Sequence, residues 1–140
     1  MPLPALDNLA RIGQLKADDR NVAEIQRMLA MARARLSDAG QSNISAEGRF
    51  TSAYNAGHVA ALAALRWHGY RSENRFTVFQ CLEHTVQWPA HRWRQLDSAH
   101  QKRNLAEYEG FLEVDENAIA ALRALVSDLI DEVSKVCSTR

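Results

Sequence analysis

The sequence predicts an all-α protein, an antiparallel bundle of about five helices. Apolar residues recur at steps of three and four along most of the chain, which is the period of a helix face. Runs of alternating β-branched residues are missing, as are Asn-Gly and Asp-Gly hairpin turns. Gly and Pro residues separate the periodic segments by short connections, and 140 residues fit one domain.

Two long helices are predicted in the first half of the chain. The first covers about residues 19–38 and stops at Gly40. Its inward positions are Val22, Ile25, Leu29, Ala32 and Leu36. The second covers about residues 46–68, and Gly57 lies on its inward face, where it lets another backbone approach closely. The other inward positions of this helix are Phe50, Tyr54, Ala61 and Leu65.

Three further helices are predicted after residue 70. One covers about residues 73–87 before Pro89, with Phe76, Phe79, Leu82 and Val86 inward. The next covers about residues 90–108 and ends at Gly110. The last opens with Asp115 as its N-cap, and its inward positions are Ile119, Leu122, Val126, Leu129 and Val133. The leader, residues 1–16, is predicted to add a turn or two of helix to the helical domain of residues 17–137.

Composition and charge exclude several classes of function. Seventeen Lys and Arg residues balance seventeen Asp and Glu residues, so binding of a polyanion would need a local basic patch. Cys81 and Cys137 form no CxxC or Cys/His cluster, so neither a metal nor another cofactor is expected. The N-terminus lacks an apolar leader, and no window reaches the roughly 18 apolar residues of a membrane span. A cytoplasmic protein without membrane contact is expected.

The helix predicted for about residues 90–108 carries the main candidate site. Its inward face begins with Trp93 and Leu96 and then turns polar. We call this polar part the polar stripe, and its members are His100, Arg103, Asn104, Glu107 and Tyr108. A dry core would leave such groups unpaired at high cost, so the polar stripe is expected to line a cleft or a dimer seam. The alternative is a solvated helix face on which Arg103 and Glu107 form an exposed pair.

Two other groups of residues have both structural and functional interpretations. The cluster of Trp88, His91, Arg92, Trp93 and Arg94 could stack on unpaired bases and contact phosphates. Trp residues in a small protein more often anchor the core. His58 lies among alanines, where a hydrogen-bonded packing histidine is the more common role.

Three segments in order resemble bacterial HEPN-domain proteins (higher eukaryotes and prokaryotes nucleotide-binding). They are RFTSAYNAGHVAALAALRWHGYR, ENRFTVFQCLEHTV and HRWRQLDSAHQKRNLAEYEG, and the resemblance covers residues 45–136. It implies a helical bundle that dimerises and, in many members, a metal-independent ribonuclease with an Arg, a polar residue and a His a few residues later. Arg103 and Asn104 match the start of that motif, and Tyr108 stands where the His would be.

Because Tyr108 replaces the His of the motif, binding of RNA or a nucleotide is ranked above RNA cleavage. A Tyr is ionised to only about one part in a thousand at pH 7, so Tyr108 is a poor base, whereas His100 has a suitable ordinary pKa. The first hypothesis is a HEPN-like homodimer that binds RNA or a nucleotide through Arg103, Asn104, Glu107 and Tyr108. The resemblance implies a toxin–antitoxin, stress or defence setting and a nucleotidyltransferase partner.

Two alternatives stay open. One is a dimeric interaction or scaffold module that binds no nucleic acid. The other is a metal-independent ribonuclease whose catalytic residues are His100, Arg103 and Tyr108, contributed by both subunits.

Overall fold

The computed structural model describes residues 3–138, and most of that length is helical. In chain order the elements are α1 (Pro4–Arg11), β1 (Lys16–Ala17), α2 (Val22–Asp38), α3 (Ala46–Trp67), β2 (Tyr70–Arg71), α4 (Arg75–Gln80), α5 (Leu82–Thr85), α6 (Ala90–Glu109) and α7 (Glu116–Val136). The predicted helical class is confirmed. Within the described residues, none of these helices combines the length and the apolar character needed to cross a bilayer.

Side-chain caps and glycines set most helix ends where the sequence predicts them. The N-caps whose side chains accept a hydrogen bond from a backbone N–H three residues later are Asn21, Ser45, Asn74 and Asp115. Gly110 ends α6 in the left-handed region with a φ of 81°, and Gly69 follows α3 with a φ of 85°. The N-cap at Asp115 and the stop at Gly110 are therefore confirmed.

The segment before Pro89 departs from the prediction of one continuous helix. The structure has two short helices, α4 and α5, with a turn at Cys81 between them. No Gly or Pro inside the segment signals this interruption. Phe79 is buried as predicted, but Phe76, in the first turn of α4, is 45% exposed. The prediction that Phe76 faces the core is wrong.

The leader is anchored to the end of α3. Its residues Leu6 and Leu15 are buried in the common core, and β1 pairs with β2 in an antiparallel two-stranded sheet. This sheet was not expected, because two-residue strands are too short to leave an alternating pattern. The boundary predicted after residue 16 falls inside β1. Leu6 and Leu15 belong to the same core cluster as the other helices, so α1 and the rest of the chain share one core.

Contacts near helix ends give the directions of the long helices. Arg66, near the end of α3, contacts Glu24 at the start of α2, so these two helices are antiparallel. Arg49 and Glu116, in the first turns of α3 and α7, form an ion pair at 2.6 Å. These two helices therefore run parallel. Helix α3 lies at the centre of the bundle, since α2, α7, α4 and α6 all pack against it.

Gly57 allows α6 and α7 to approach α3 together. A Cβ atom at this position would lie 3.0 Å from Leu96 Cδ2 and 3.1 Å from Val126 Cγ2. The close approach predicted for Gly57 is therefore made by side chains from two helices rather than by another backbone. The glycine sets the spacing between three helices at the middle of the core.

The substitution Gly57→Val should destabilise the fold by about 1–3 kcal/mol, because its methyl groups would overlap Leu96 and Val126. Gly57→Ala is the matched control, since its gain of about 1 kcal/mol in helix propensity offsets the milder crowding. Urea unfolding followed by circular dichroism gives both free energies. Equal stability of Gly57→Val and wild type would show that α6 and α7 do not depend on this spacing.

Candidate functional site

Three members of the polar stripe on α6 come together in the structure. His100 lies at the centre, with its Nδ1 atom 3.0 Å from Tyr54 Oη and its Nε2 atom 3.2 Å from Asn104 Nδ2. The Arg103 guanidinium lies over the Tyr54 ring, 5.6 Å from its centroid. The polar stripe thus faces α3 of the same chain in its first half, where Tyr54 is fully buried.

Glu107 and Tyr108 lie outside this group. Glu107 forms only a long ion pair with Arg103 at 3.8 Å, and its side chain is 67% exposed. Tyr108 is 92% exposed, and it makes no hydrogen bond or ring contact with any residue between 3 and 138. Within one chain, Tyr108 therefore lies apart from His100, Arg103 and Asn104.

The position of Tyr108 follows from the unequal extent of α3 and α6. The two helices are antiparallel, and Lys102 Nζ lies 5.8 Å from the ring centroid of Phe50. Phe50 is one turn from Ala46, where α3 begins. The last turn of α6 therefore extends past the start of α3, so Tyr108 has no helix to pack against.

Tyr54 and Arg75 complete the site, although the sequence did not identify them as functional residues. Arg75 Nη1 donates a hydrogen bond to Tyr54 Oη at 2.9 Å. The ring of Tyr54 is stacked on that of His100, with centroids 5.8 Å apart and planes at 17°. We call this group the Tyr54 cluster, and its members are Tyr54, Arg75, His100, Arg103 and Asn104. One feature of the sequence could have indicated the Tyr54 cluster. Tyr54 was predicted to lie in the core, and a buried tyrosine hydroxyl needs a hydrogen-bond partner.

The hydrogen-bond roles in the cluster follow from Arg75, which can only donate. Tyr54 Oη accepts from Arg75 and can donate its own proton to His100 Nδ1, and Nε2–H can then donate to Asn104 once the side-chain amide is turned so that its oxygen replaces Nδ2. In the other tautomer Nδ1–H donates to Tyr54, and Nε2 accepts from the Asn104 amide. Either way both ring nitrogens of His100 are occupied inside the protein.

Burial keeps the tyrosine and the histidine of the cluster neutral. Desolvation raises the pKa of Tyr54, although the nearby Arg75 opposes that rise. Desolvation also lowers the pKa of His100, and Arg75 lowers it further. The positive charge of the site therefore resides on Arg75 and Arg103.

The charge of Arg75 is not balanced by an ion pair. In residues 3–138 its guanidinium has no carboxylate within ion-pair distance, and its partner is the neutral phenol of Tyr54. Asp97, one turn before His100, acts on the cluster from further away and raises the pKa of His100. Its Oδ1 atom is buried without a hydrogen-bond partner in the described part of the chain. Arg75 is thus the arginine of the cluster without an ion pair in the described residues, whereas Arg103 pairs with Glu107 at 3.8 Å.

The tryptophans predicted as alternative stacking residues are core residues. Trp88 and Trp93 are 2% and 1% exposed, and their indole N–H groups donate to Glu132 and Glu83. Arg92 covers the Trp88 ring at 4.2 Å and pairs with Asp128, so it is also used within the fold. This cluster offers no open tryptophan face to a base.

Potential metal ligands and thiols are spread over the structure. Within residues 3–138, no three His, Cys, Asp or Glu side chains come together as a metal site. Cys81 and Cys137 are both buried as free thiols, and desolvation raises the pKa of each to about 11. Neither thiol is activated as a nucleophile.

Comparison with known proteins does not identify a family for this chain. No protein-family model, no curated protein and no solved structure matches it. The resemblance to HEPN-domain proteins therefore rests on the sequence segments alone, and the functional argument rests on the geometry of the Tyr54 cluster.

His58 lies one turn after Tyr54 and packs its ring against Phe79, with centroids 6.0 Å apart. The packing role predicted for it agrees with this contact, although none of its neighbours in residues 3–138 forms a hydrogen bond with its ring. Burial lowers the pKa of His58 to about 4, and the charge of Arg75 contributes to that decrease. His58 is neutral in the folded protein at physiological pH.

Stability should therefore fall between pH 6.5 and pH 4, because the unfolded chain binds the His58 proton first as the pH decreases. The stabilisation that comes from neutral His58 is complete above pH 6.5. The free energy of unfolding should decrease by about 2 kcal/mol from pH 7.5 to pH 5. His58→Gln should abolish this part of the loss, whereas His91→Gln, at an exposed position, should not. Urea unfolding at the two pH values measures it, and identical pH dependence in His58→Gln and wild type would contradict the assignment.

Proposed function

We propose that this protein is a HEPN-like protein that binds a phosphate group of RNA or of a nucleotide at the Tyr54 cluster. The observation that carries the proposal is the pair of arginines, Arg75 and Arg103, each 5.6 Å from the centroid of the same Tyr54 ring. That ring is neutral, and Arg75 has no carboxylate partner in residues 3–138, whereas Arg103 has a long ion pair with Glu107 at 3.8 Å. Two guanidinium groups beside one neutral ring favour an anion.

The two arginines are close enough to act on one ligand. Because both lie 5.6 Å from one ring centroid, their guanidinium carbons are at most twice that distance apart. A guanidinium has five N–H donors, and Arg75 uses one of them on Tyr54. The remaining donors match the oxygen atoms of a phosphate group or of two consecutive phosphates.

Binding is better supported than cleavage. A ribonuclease of the resembled kind needs a base for the ribose hydroxyl proton, and both nitrogens of His100 are already hydrogen-bonded within the protein. Within one chain, Tyr108 is 92% exposed and makes no contact with His100. Metal-independent RNA cleavage by His100, Arg103 and Tyr108 is therefore the weaker alternative.

The biological setting is proposed from the resemblance. A HEPN-like protein of this kind would act in a toxin–antitoxin, stress or defence system, with a nucleotidyltransferase as its protein partner. A dimeric scaffold that binds no nucleic acid is the second candidate, and the exposed apolar residues at the end of α6 favour it.

Arg75→Ala and Arg103→Ala should each weaken the binding of a labelled single-stranded oligoribonucleotide about 10- to 100-fold, because each removes charge-assisted hydrogen bonds to phosphate. Arg75→Lys and Arg103→Lys should restore binding only in part, since Lys lacks the planar fork. Arg27→Ala is the control, because it removes the same charge from an exposed position on α2. Fluorescence anisotropy in the presence of a chelator measures the affinities.

Equal affinities in all these variants would contradict the phosphate site. Gel analysis of the same reactions tests cleavage. Robust metal-independent cleavage that is lost in His100→Ala would establish the ribonuclease alternative, and failure of the wild type to bind RNA or nucleotide would favour the scaffold.

The partner proposed for this chain in solution is a second copy of itself. Three exposed apolar side chains lie within seven residues at the end of α6, namely Leu105, Tyr108 and Phe111. A groove of about 160 Å³ lies beside them, and its lining includes Leu112 together with Lys102, Glu109 and Glu113. One chain thus supplies protruding apolar groups, an apolar groove and charges of both signs, as a symmetric interface requires.

Light scattering should give about twice the 15.7 kDa mass of one chain. Leu105→Asp should shift the protein to the monomer, because it places a charge inside the apolar contact. Ile12→Asp is the matched control, since Ile12 is an apolar residue that is 69% exposed at the end of α1. A wild type that stays monomeric at high concentration would contradict the dimer.

A further inference from the structure

We propose that Phe76 is a stacking platform for a base of the RNA whose phosphate binds at the Tyr54 cluster. This inference rests on the proposed phosphate site and adds a residue that selects for unpaired bases. The ligand it defines is a single strand with a base close to the bound phosphate. In a duplex each base is covered by its neighbours and has no free face for an aromatic side chain.

The environment of Phe76 leaves part of its ring open. Its ring contacts Trp93 edge-to-face, with centroids 5.4 Å apart and planes at 81°. In such a contact Trp93 can cover one face of the phenylalanine ring at most. The residue is 45% exposed, and it sits on a rigid support because Trp93 is 1% exposed and held by Glu83.

Phe76 also lies at a useful distance from the arginines. It follows Arg75 directly, so the two Cα atoms are about 3.8 Å apart. On α6, Trp93 precedes His100 by seven residues, which corresponds to about 10 Å along the helix. Phe76 contacts Trp93, and Arg75 reaches His100 through Tyr54, so the two contacts are about 10 Å apart along α6, which is within the span of two nucleotides of an extended strand.

The other exposed aromatic residues are less suited to this role. Tyr108 and Phe111 lie past the start of α3, in the apolar patch at the end of α6. The three tryptophans are used within the fold: Trp88 and Trp93 are buried, and Arg20 covers the Trp67 ring at 3.8 Å. Phe76 is thus the aromatic group that combines exposure with a position beside Arg75.

The test compares variants that differ in the aromatic face alone. Phe76→Leu keeps an apolar side chain against Trp93 and should weaken oligoribonucleotide binding between about fivefold and about a hundredfold. Phe76→Tyr keeps the ring and should bind like wild type. An oligomer with the same sugar–phosphate backbone but no bases should bind wild type and Phe76→Leu equally. Thermal unfolding by circular dichroism checks that both variants are folded.

The salt dependence separates stacking from phosphate binding. Each phosphate contact to a single strand contributes about 0.7 to the slope of log affinity against log salt concentration. Arg75→Ala should reduce the slope by about this amount, whereas Phe76→Leu should lower the affinity and leave the slope unchanged. If Arg75→Ala weakens binding and Phe76→Leu does not, the platform is overturned and the phosphate site stands. If neither variant weakens binding, or wild type binds no RNA, both proposals fail.

Discussion

Helix α3 is enclosed by other elements, because α2, α7, α4 and α6 all pack against it. A helix in this position cannot carry large side chains on every face without separating its neighbours. Most of its buried positions are alanines, and Gly57 lies where α6 and α7 both approach. The surrounding helices supply the bulk of the core through side chains such as Leu29, Trp93 and Leu129. The arrangement of the whole bundle depends on the small residues of α3.

Two large polar side chains buried on α3, Tyr54 in its middle and Arg66 near its end, connect this helix to other segments of the chain. Buried polar groups need partners, and each of these two finds them in a different segment. Arg66 is 3% exposed and donates to the carbonyl oxygens of Asp18 and Asp19 at 2.7 and 3.0 Å, which fixes the segment after β1. Tyr54 is fully buried and binds Arg75 and His100, which organises the candidate site. The same physical requirement therefore positions both the leader and the polar cluster.

Local features of the chain could be predicted from the sequence, and contacts between distant residues could not. Asp115 caps the start of α7 and Gly110 the end of α6, and both roles depend on neighbouring residues, so both predictions were correct. Periodicity also placed His100 and Asn104 on one face of α6. It carries no information about where the neighbouring helix begins, so it could not show that Tyr108 lies apart from them within one chain. The contact between Arg75 and Tyr54 joins residues on different helices and leaves no local pattern.

The electrostatics of the Tyr54 cluster suit steady anion binding better than proton transfer. Elsewhere in the fold, Arg49 and Arg92 face the carboxylates of Glu116 and Asp128, which balance their charge. Arg75 instead donates to a phenol. Burial raises the pKa of that phenol and lowers the pKa of His100, so both groups move away from the range in which a general base works. In a protein whose formal net charge is zero, Arg75 is therefore a guanidinium whose hydrogen-bond partner within residues 3–138 is a neutral phenol.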